Sequence, residues 1–147
     1  HVFGDLKLKS FPKTSGSKGM QVYVPLNRAE ATYKDTKPFA QAIAGLLERQ
    51  HPDLVVSKMK KELRKGKILV DWSQNDQHKT TVCVYSLRAK ATPTASTPVN
   101  WDEVEKCVKK KDPGLLSFDA PAVLKRVDKH GDLFEPVLTL EQKLPKL

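Results

Sequence analysis

The order of the predicted elements indicates an α+β fold, in which helices pack on one face of an antiparallel sheet. Strand-like segments occur in pairs, and helical segments follow each pair, in the order strand, strand, helix, strand, strand, helix, helix. An antiparallel sheet covered by helices is the simplest architecture with this order. At 147 residues the chain is long enough to bury one core, so a single domain over residues 1–147 is predicted.

The first two strands are predicted over 8–14 and 20–26, separated by the turn TSGSKG. In the second strand, polarity alternates with the period of two that is typical of β-structure, and one face is formed by Met20, Val22 and Val24. Pro25 is expected to end this strand or to place it at a sheet edge.

An amphipathic helix is predicted over 36–50, since its apolar stripe has helical spacing. Asp35 or Thr36 is the expected cap, Pro38 suits the first turn, and His51-Pro52 ends the helix. The residues with this spacing are Phe39, Ile43, Leu46, Leu47 and Gln50, and the apolar members form the stripe.

The second half of the chain begins with a basic stretch over 57–67, predicted as a short helix that ends near Gly66. KILVDW and TTVCVYSLRA then indicate a hairpin over 67–90. A polar crossing follows over 88–100. Two helices with strong local signals come next: WDEVEKCVKK, preceded by the capping pair Asn100 and Glu103, and PAVLKRVDKH, with cap Asp119 and end at Gly131. The tail over 133–147 is weakly patterned and is expected either to dock on the core or to lead into a linker.

The charge balance favours a polyanionic partner. Lys and Arg number 26 against 17 Asp and Glu, giving a net charge of +9 and a pI near 9.6. Nucleic acid, nucleotide phosphates and acidic membrane surfaces all fit such a surface, and the alternative is a charge that serves only solubility. No apolar run approaches the roughly 20 residues of a membrane span, and no signal peptide is recognisable.

The cysteines and histidines do not form a motif. Cys83 lies in an apolar strand pattern and Cys107 in a helical one, so both are expected to be buried, reduced thiols. No zinc site is expected from the spacing of the histidines.

The turn between the first two strands is a candidate phosphate site. Its Ser and Gly residues leave backbone N–H groups available to an anion, and Ser15, Ser17, Lys13 and Lys18 add further donors and charge. It is not a Walker A loop, because GxxxxGK[ST] is absent and a strand follows it. The alternative is a plain hairpin turn that uses Ser and Gly for its geometry.

Three further residues have side chains suited to the same chemistry. Asp71 ends an apolar strand, where a carboxylate suits Mg²⁺ or Mn²⁺, although an Asp is also common at the start of a turn. Arg64 and Arg88 flank that strand and its partner; the planar guanidinium suits bidentate phosphate binding, and the alternative is two solvated surface arginines. The basic stretch 57–67 fits a nucleic-acid backbone or, alternatively, a solvated helix face. Trp72 is a candidate for stacking on a base, with core packing as its alternative.

These segments, in this order, resemble the polymerase domain of bacterial DNA ligase D. The similarity lies in SFPKTSGSKGMQVYVPL, KKELRKGKILVDWSQN, TTVCVYSLRA and the segment around TPVNWDEV, and it is strongest over residues 10–102. That family belongs to the archaeo-eukaryotic primase superfamily. The resemblance implies a primase-polymerase-like fold and a role in non-homologous end joining, in which nucleotides are added to DNA ends with divalent metal.

The resemblance also implies roles for matching residues. Ser15 and Lys18 would bind the phosphates of the incoming nucleotide, and Arg64 and Arg88 would contact its triphosphate. Asp71 would be a catalytic carboxylate, the last of three that bind metal. Asn75 would support the site. Mn²⁺ or Mg²⁺ would be the cofactor, as two-metal nucleotidyl transfer requires.

Two departures from the family pattern affect these expectations. Gln21 stands where the family's turn carries a histidine; it is still expected to contact phosphate, but without charge. The family's first two metal carboxylates form an acid-x-acid pair upstream of the turn, and this pair is not found here. We therefore expect residues 1–147 to be the C-terminal portion of such a domain and to be inactive alone.

Two functional readings follow. The first is a DNA-repair polymerase, with DNA ends and nucleoside triphosphates as partners, together with a ligase and end-binding proteins. The alternative is a non-catalytic DNA- or nucleotide-binding module derived from the same fold. In both, a cytoplasmic, nucleoid-associated location in a bacterium or archaeon is expected, without membrane association.

Overall fold

The structure is a computed structural model that describes residues 1–145. The described residues form α1 (Val2–Asp5), β1 (Phe11–Thr14), β2 (Met20–Tyr23), α2 (Tyr33–Gln50), β3 (Val55–Val56), β4 (Ile68–Leu69), α3 (Trp101–Lys110), α4 (Ala120–His130) and α5 (Glu135–Thr139). Short 3-10 turns occupy Lys61–Arg64, Trp72–Gln74 and Pro113–Leu116. The predicted α+β class, with an antiparallel sheet and packed helices, is confirmed.

Two compact units can be distinguished along the chain. Unit 1 consists mainly of Phe3–Asn27 and Val82–Lys143, and unit 2 mainly of Arg28–Thr81. Each unit is described separately below. The prediction of a single domain over 1–147 stays a prediction.

In unit 1, strands β1 and β2 form an antiparallel pair. Phe11 lies opposite Tyr23 and Thr14 opposite Met20, so the two strands are shorter than the predicted 8–14 and 20–26. Strand β2 ends before Pro25, as a residue without a backbone donor requires. The short register places the tight turn 15–19 directly at the end of the pair.

The segment 95–99 lies along the other edge of β1. The Thr14 N–H donates to the carbonyl of Thr97 at 2.8 Å, and the Val99 N–H donates to the carbonyl of Pro12 at 3.1 Å. The predicted polar crossing over 88–100 is therefore wrong for these five residues, which are buried. Their polar groups are accommodated because they are hydrogen-bonded to β1.

The predicted hairpin over 67–90 is wrong. Strand β4 pairs in parallel with β3, with Ile68 opposite Val55. The later segment instead follows 94–96, where the Arg88 N–H donates to the carbonyl of Thr94 at 2.8 Å. Tyr85 has a φ of +65°, which interrupts an extended strand. Both segments pair with neighbours that the alternation of polarity does not identify.

Helices α3 and α4 match the sequence prediction, because their caps are local. The Asn100 side chain accepts from the Glu103 N–H at 2.9 Å, and the Glu103 carboxylate accepts from the Asn100 N–H at 2.9 Å. Asp119 caps α4 through the Ala122 N–H, also at 2.9 Å. Helix α4 ends at Gly131, which has a φ of +69°.

In unit 2, helix α2 buries Phe39 and Ile43 of the predicted stripe and begins earlier than expected. Leu46 and Leu47 are half-buried, and Gln50 is exposed. The cap of α2 is Thr32, whose N–H and hydroxyl both donate to Asp35, at 3.2 and 2.8 Å. Asp35 is therefore not the cap but a residue of the first helical turn that accepts hydrogen bonds from the cap, and Pro38 lies in the second turn instead of the first. The basic stretch forms only the 3-10 turn Lys61–Arg64 instead of a helix.

The tail contacts the rest of unit 1 through Gln142. Gln142 docks in unit 1, because its side-chain amide donates to the carbonyls of Lys9 at 3.0 Å and Pro25 at 2.9 Å. The docking prediction is thus confirmed for this part of the tail, while residues 146–147 lie outside the described range.

Both cysteines are free, but the prediction that they are buried is wrong: Cys83 is exposed and outside any strand, and Cys107 is half-buried. Across residues 1–145, the helices lack the combination of length and apolar character that crossing a bilayer requires.

Candidate functional site

The turn 15–19 is closed around the hydroxyl of Ser15. The Ser15 N–H donates to the carbonyl of Gly19 at 2.8 Å, and Ser15 Oγ accepts from the N–H groups of Ser17 and Gly19 at 3.2 and 3.1 Å. A hydroxyl that accepts twice keeps its single proton to donate. Ser15 therefore shapes the turn and still offers a donor to a ligand.

Gly16 brings the turn into contact with Arg88. Its φ is +65°, and a Cβ placed on it would lie 2.8 Å from Arg88 Cγ and 2.7 Å from the carbonyl carbon of Ala95. The Thr94 hydroxyl also donates to the carbonyl of Gly16 at 2.6 Å. Only glycine allows this close approach, which places the stem of Arg88 against the turn.

The turn retains donors that the protein does not use. Among the described residues, the N–H groups of Gly16 and Lys18 have no hydrogen-bond acceptor. Lys18 is exposed, so its ammonium is available to solvent or to a ligand. Together with the Ser15 hydroxyl and the adjacent Arg88, these groups form a concentrated set of donors suited to an anion.

Gln21 contributes an unpaired polar atom. Its Oε1 is buried and has no hydrogen-bond partner among the described residues. Leaving a buried acceptor unpaired costs about 1–3 kcal/mol. The amide is thus a place where a water molecule or a ligand would supply the missing hydrogen bond.

In unit 2, Asp71 and Arg64 are linked through Met59. The carboxylate of Asp71 accepts from Ser73 Oγ at 2.6 Å and from Gln74 Nε2 at 3.4 Å. Ser73 Oγ also lies 4.0 Å from Met59 Sδ, and Arg64 Nη2 donates to the Met59 carbonyl and lies 3.9 Å from the same sulfur. Asp71 and Arg64 are thus connected indirectly, through Ser73 and Met59.

The remaining predicted residues of unit 2 have structural partners. Asn75 ends the 3-10 turn after Asp71, and its N–H donates to the carbonyl of Trp72 at 3.2 Å. The indole N–H of Trp72 donates to the carbonyl of Ser57 at 3.1 Å, and its ring is half-buried. This hydrogen bond supports the alternative in which Trp72 packs within the protein instead of stacking on a base.

Asp71 does not form a metal site with other described residues. Within 1–145, there is no cluster of three or more His, Cys, Asp or Glu side chains that could hold a metal ion. Mg²⁺ is usually bound through several oxygens in near-octahedral geometry. The described donor set therefore does not fit a resident divalent metal without further ligands.

Lys13, which the sequence analysis counted among the charges of the turn, lies behind it and is not available to a ligand there. Lys13 is fully buried, with its Nζ 2.9 Å from the carbonyl of Val82 and 2.6 Å from Ser96 Oγ. Thr94 and Ser96 were hidden in a segment that was expected to be exposed. The one local signal was the cluster of hydroxyl residues in TPTASTP, between apolar positions.

The predicted site residues thus fall into two groups. Unit 1 carries Ser15, Lys18, Gln21 and Arg88, of which the turn and Arg88 are in contact. Unit 2 carries Arg64, Asp71 and Asn75.

Comparisons with known proteins agree on one family. The family "LigD, primase-polymerase domain" matches residues 1–134. The "Multifunctional non-homologous end joining protein LigD" of Mycolicibacterium smegmatis is 42% identical over 133 residues, which cover 90% of this chain and 16% of that protein. The "Bifunctional non-homologous end joining protein LigD" of Bacillus subtilis is 34% identical over 124 residues, covering 84% of this chain and 20% of that protein.

A solved structure supports the same assignment. The "Polymerase Domain from Mycobacterium tuberculosis Ligase D in complex with DNA" superposes with a TM-score of 0.84 at 39% sequence identity. The match covers 96% of this chain and 47% of that chain. The chain thus spans about half the length of the solved domain and under a quarter of these curated relatives. On the family match and the structural similarity together, the chain belongs to the LigD primase-polymerase domain family.

Proposed function

We propose that this chain contributes the triphosphate-binding part of a nucleotidyl-transfer site that acts on DNA ends in non-homologous end joining. The observation that carries the proposal is the packing of the 15–19 turn against Arg88 in unit 1. It concentrates anion donors where the family resemblance implies phosphate binding. The M. tuberculosis polymerase domain, solved in complex with DNA, supports the choice of DNA as the second partner.

Each donor of the turn has a distinct part in this proposal. The Ser15 proton and the free N–H groups of Gly16 and Lys18 bind phosphate oxygens at short range. The ammonium of Lys18 neutralises charge, and Arg88 offers two parallel N–H groups to one phosphate. Because a triphosphate carries several negative charges, its affinity for this group exceeds that of a monophosphate.

Gln21 fills the role of the family's histidine in a weaker form. The amide's NH₂ group can donate to a phosphate oxygen, whereas the buried Oε1 requires a donor such as a water molecule. Gln21 thus orients the nucleotide without adding charge.

For the transfer reaction, Asp71 supplies one carboxylate and Arg64 one positive charge near it. Mn²⁺ or Mg²⁺ is the metal that the resemblance implies, and a single carboxylate holds either ion weakly. We therefore propose that residues 1–147 bind nucleotide but do not add it to DNA by themselves. Templated addition by the purified 147-residue chain would overturn this part of the proposal.

DNA binding is assigned to the basic stretch 57–67, whose lysines are exposed. With a net charge of +9, the chain would bind the phosphate backbone of DNA and release its counterions. Its proposed protein partners are a ligase and end-binding proteins, and its proposed location is the cytoplasm. The second candidate function, a non-catalytic binding module, is favoured by Gln21 and by the unclustered Asp71.

Calorimetry of a nucleoside triphosphate with Mn²⁺ tests the proposal. Arg88→Ala is compared with wild type and with Arg49→Ala, a matched control whose arginine is exposed on α2. We expect Arg88→Ala to weaken binding by about 10-fold or more, as the loss of a charge-assisted hydrogen bond does, and Arg49→Ala to bind like wild type. An absence of binding by the wild-type chain would contradict the nucleotide site and leave DNA binding as the function.

A further inference from the structure

A buried lysine lies directly behind the phosphate turn. Lys13 belongs to β1, two residues before Ser15, and its side chain is 0% exposed. Its ammonium donates to the Val82 carbonyl at 2.9 Å and to Ser96 Oγ at 2.6 Å, and lies 5.8 Å from the centre of the Tyr23 ring. A fully buried lysine is rare, because the ammonium loses its hydration.

The acceptors of this ammonium belong to the segments that shape the site. Ser96 Oγ passes a hydrogen bond on to the Thr14 carbonyl at 2.9 Å, immediately before the turn. The Ser96 N–H donates to the Ser86 carbonyl at 2.9 Å, which fixes the segment that carries Arg88. Lys13 thus ties the start of the turn to both segments flanking Arg88.

An apolar side chain would fill the same volume without losing hydration, so packing alone does not explain a lysine here. An ammonium has three donors, and the described residues accept from two of them. The positive charge also lies behind a turn in which the N–H groups of Gly16 and Lys18 have no acceptor among the described residues.

We propose that Lys13 is a positioning residue of the nucleotide site, whose buried ammonium holds the 15–19 turn and Arg88 in the geometry that binds a triphosphate. The inference rests on the proposed function. It adds a residue that does not touch the ligand but on which affinity depends.

Protonation of Lys13 is coupled to ligand binding in this arrangement. The pKa of Lys13 is lowered to about 8, mainly by burial, while Cys83 acts to raise it and Arg88 to lower it. Tyr23, whose pKa burial raises, also lies beside it. A bound triphosphate adds negative charge nearby, which favours the ammonium form. The chain should therefore take up protons on binding near pH 8.

The experiment is calorimetry of ATP with Mn²⁺ at pH 8 in two buffers with different ionisation enthalpies, which gives the number of protons taken up. Wild type is compared with Lys13→Met, and with Lys125→Met as a matched control for loss of an exposed lysine. Cys83→Ser identifies any contribution of the neighbouring thiol. We expect Lys13→Met to bind about 10-fold more weakly, as loss of a charge-assisted hydrogen bond would predict, and to lose the proton uptake that the other two variants keep.

The outcomes separate this proposal from the function on which it rests. Wild-type binding without proton uptake, or full affinity in a folded Lys13→Met chain, would overturn the role of Lys13 and leave the nucleotide site standing. No wild-type binding would instead refute the proposed function. If Lys13→Met does not fold, Ser96→Ala removes one acceptor of the ammonium, and unchanged affinity and proton uptake in that variant would overturn the proposal.

Discussion

Replacing Gly16 by alanine tests the close packing of the phosphate turn against Arg88. The added Cβ would lie 2.7 Å from the Ala95 carbonyl carbon and 2.8 Å from both Arg88 Cγ and the Ser96 nitrogen. Two of these three atoms belong to backbone and cannot rotate away. Overpacking of this kind costs about 1–3 kcal/mol, and the left-handed backbone at φ +65° adds about 1–2 kcal/mol for a residue with a Cβ.

Gly66→Ala is the matched control. Gly66 has a φ of +74°, but a Cβ there would meet nothing within 4 Å. This variant therefore loses only the conformational part, about 1–2 kcal/mol. The difference between the two variants isolates the packing contribution.

The assay is urea unfolding of both variants, followed by titration with ATP and Mn²⁺. We expect Gly16→Ala to have the lower free energy of unfolding by about 1–3 kcal/mol and to lose most of its triphosphate affinity, because the turn and Arg88 are forced apart. Equal free energies of unfolding for the two variants would show that Gly16 is not packed closely against Arg88 and would refute the prediction.

Three further predictions concern stability and DNA binding. Arg126→Met removes the partner of Glu103, to which Arg126 Nη2 lies at 2.9 Å, and is expected to cost about 1–3 kcal/mol by thermal unfolding. Burial opposes ionisation of Glu103, but the hydrogen bonds from Arg126 hold its pKa below the ordinary 4.5. The stabilisation by this ion pair is therefore present above pH 4.5 and is lost as the pH falls through the lowered pKa. An unchanged dependence of stability on acid pH in Arg126→Met would contradict this. Asn100→Ala removes the cap of α3 and is expected to cost about 1 kcal/mol in urea unfolding, whereas no loss would show that the cap is dispensable. Neutralising three lysines within 57–67 should reduce the slope of log K against log salt for duplex DNA by up to about 3, and an unaltered slope would place the DNA surface elsewhere.

The elements that the sequence predicted best are those specified by neighbouring residues. The caps at Asn100 and Asp119 act over three residues, and the helices that follow have the predicted bounds. The turn 15–19 was also found from local composition. In these cases the hydrogen bonds join residues that are close in the chain, so the pattern of residue types contains the information.

The errors arose where the local pattern does not specify the partner. Ile68 pairs with Val55, not with the strand-like residues after 80, and alternation of polarity cannot distinguish these partners. Lys13 was expected to add charge to the turn, yet it is buried and its ammonium donates to residues 82 and 96. A lysine in a four-residue strand carries no local sign of such burial. The contact between Gly16 and Arg88 depends in the same way on the path of 94–96.

The division of the chain has a consequence for the order of events during synthesis on the ribosome. Unit 2 is built almost entirely from the contiguous Arg28–Thr81, whereas unit 1 requires both Phe3–Asn27 and Val82–Lys143. Strand β1 emerges early, but residues 95–99, which complete its hydrogen bonding, emerge only after all of unit 2. Closing so long a loop is slow compared with forming local contacts. In the nascent chain, Lys13 of the β1–β2 pair therefore lacks its acceptors until residues 82 and 96 have left the ribosome.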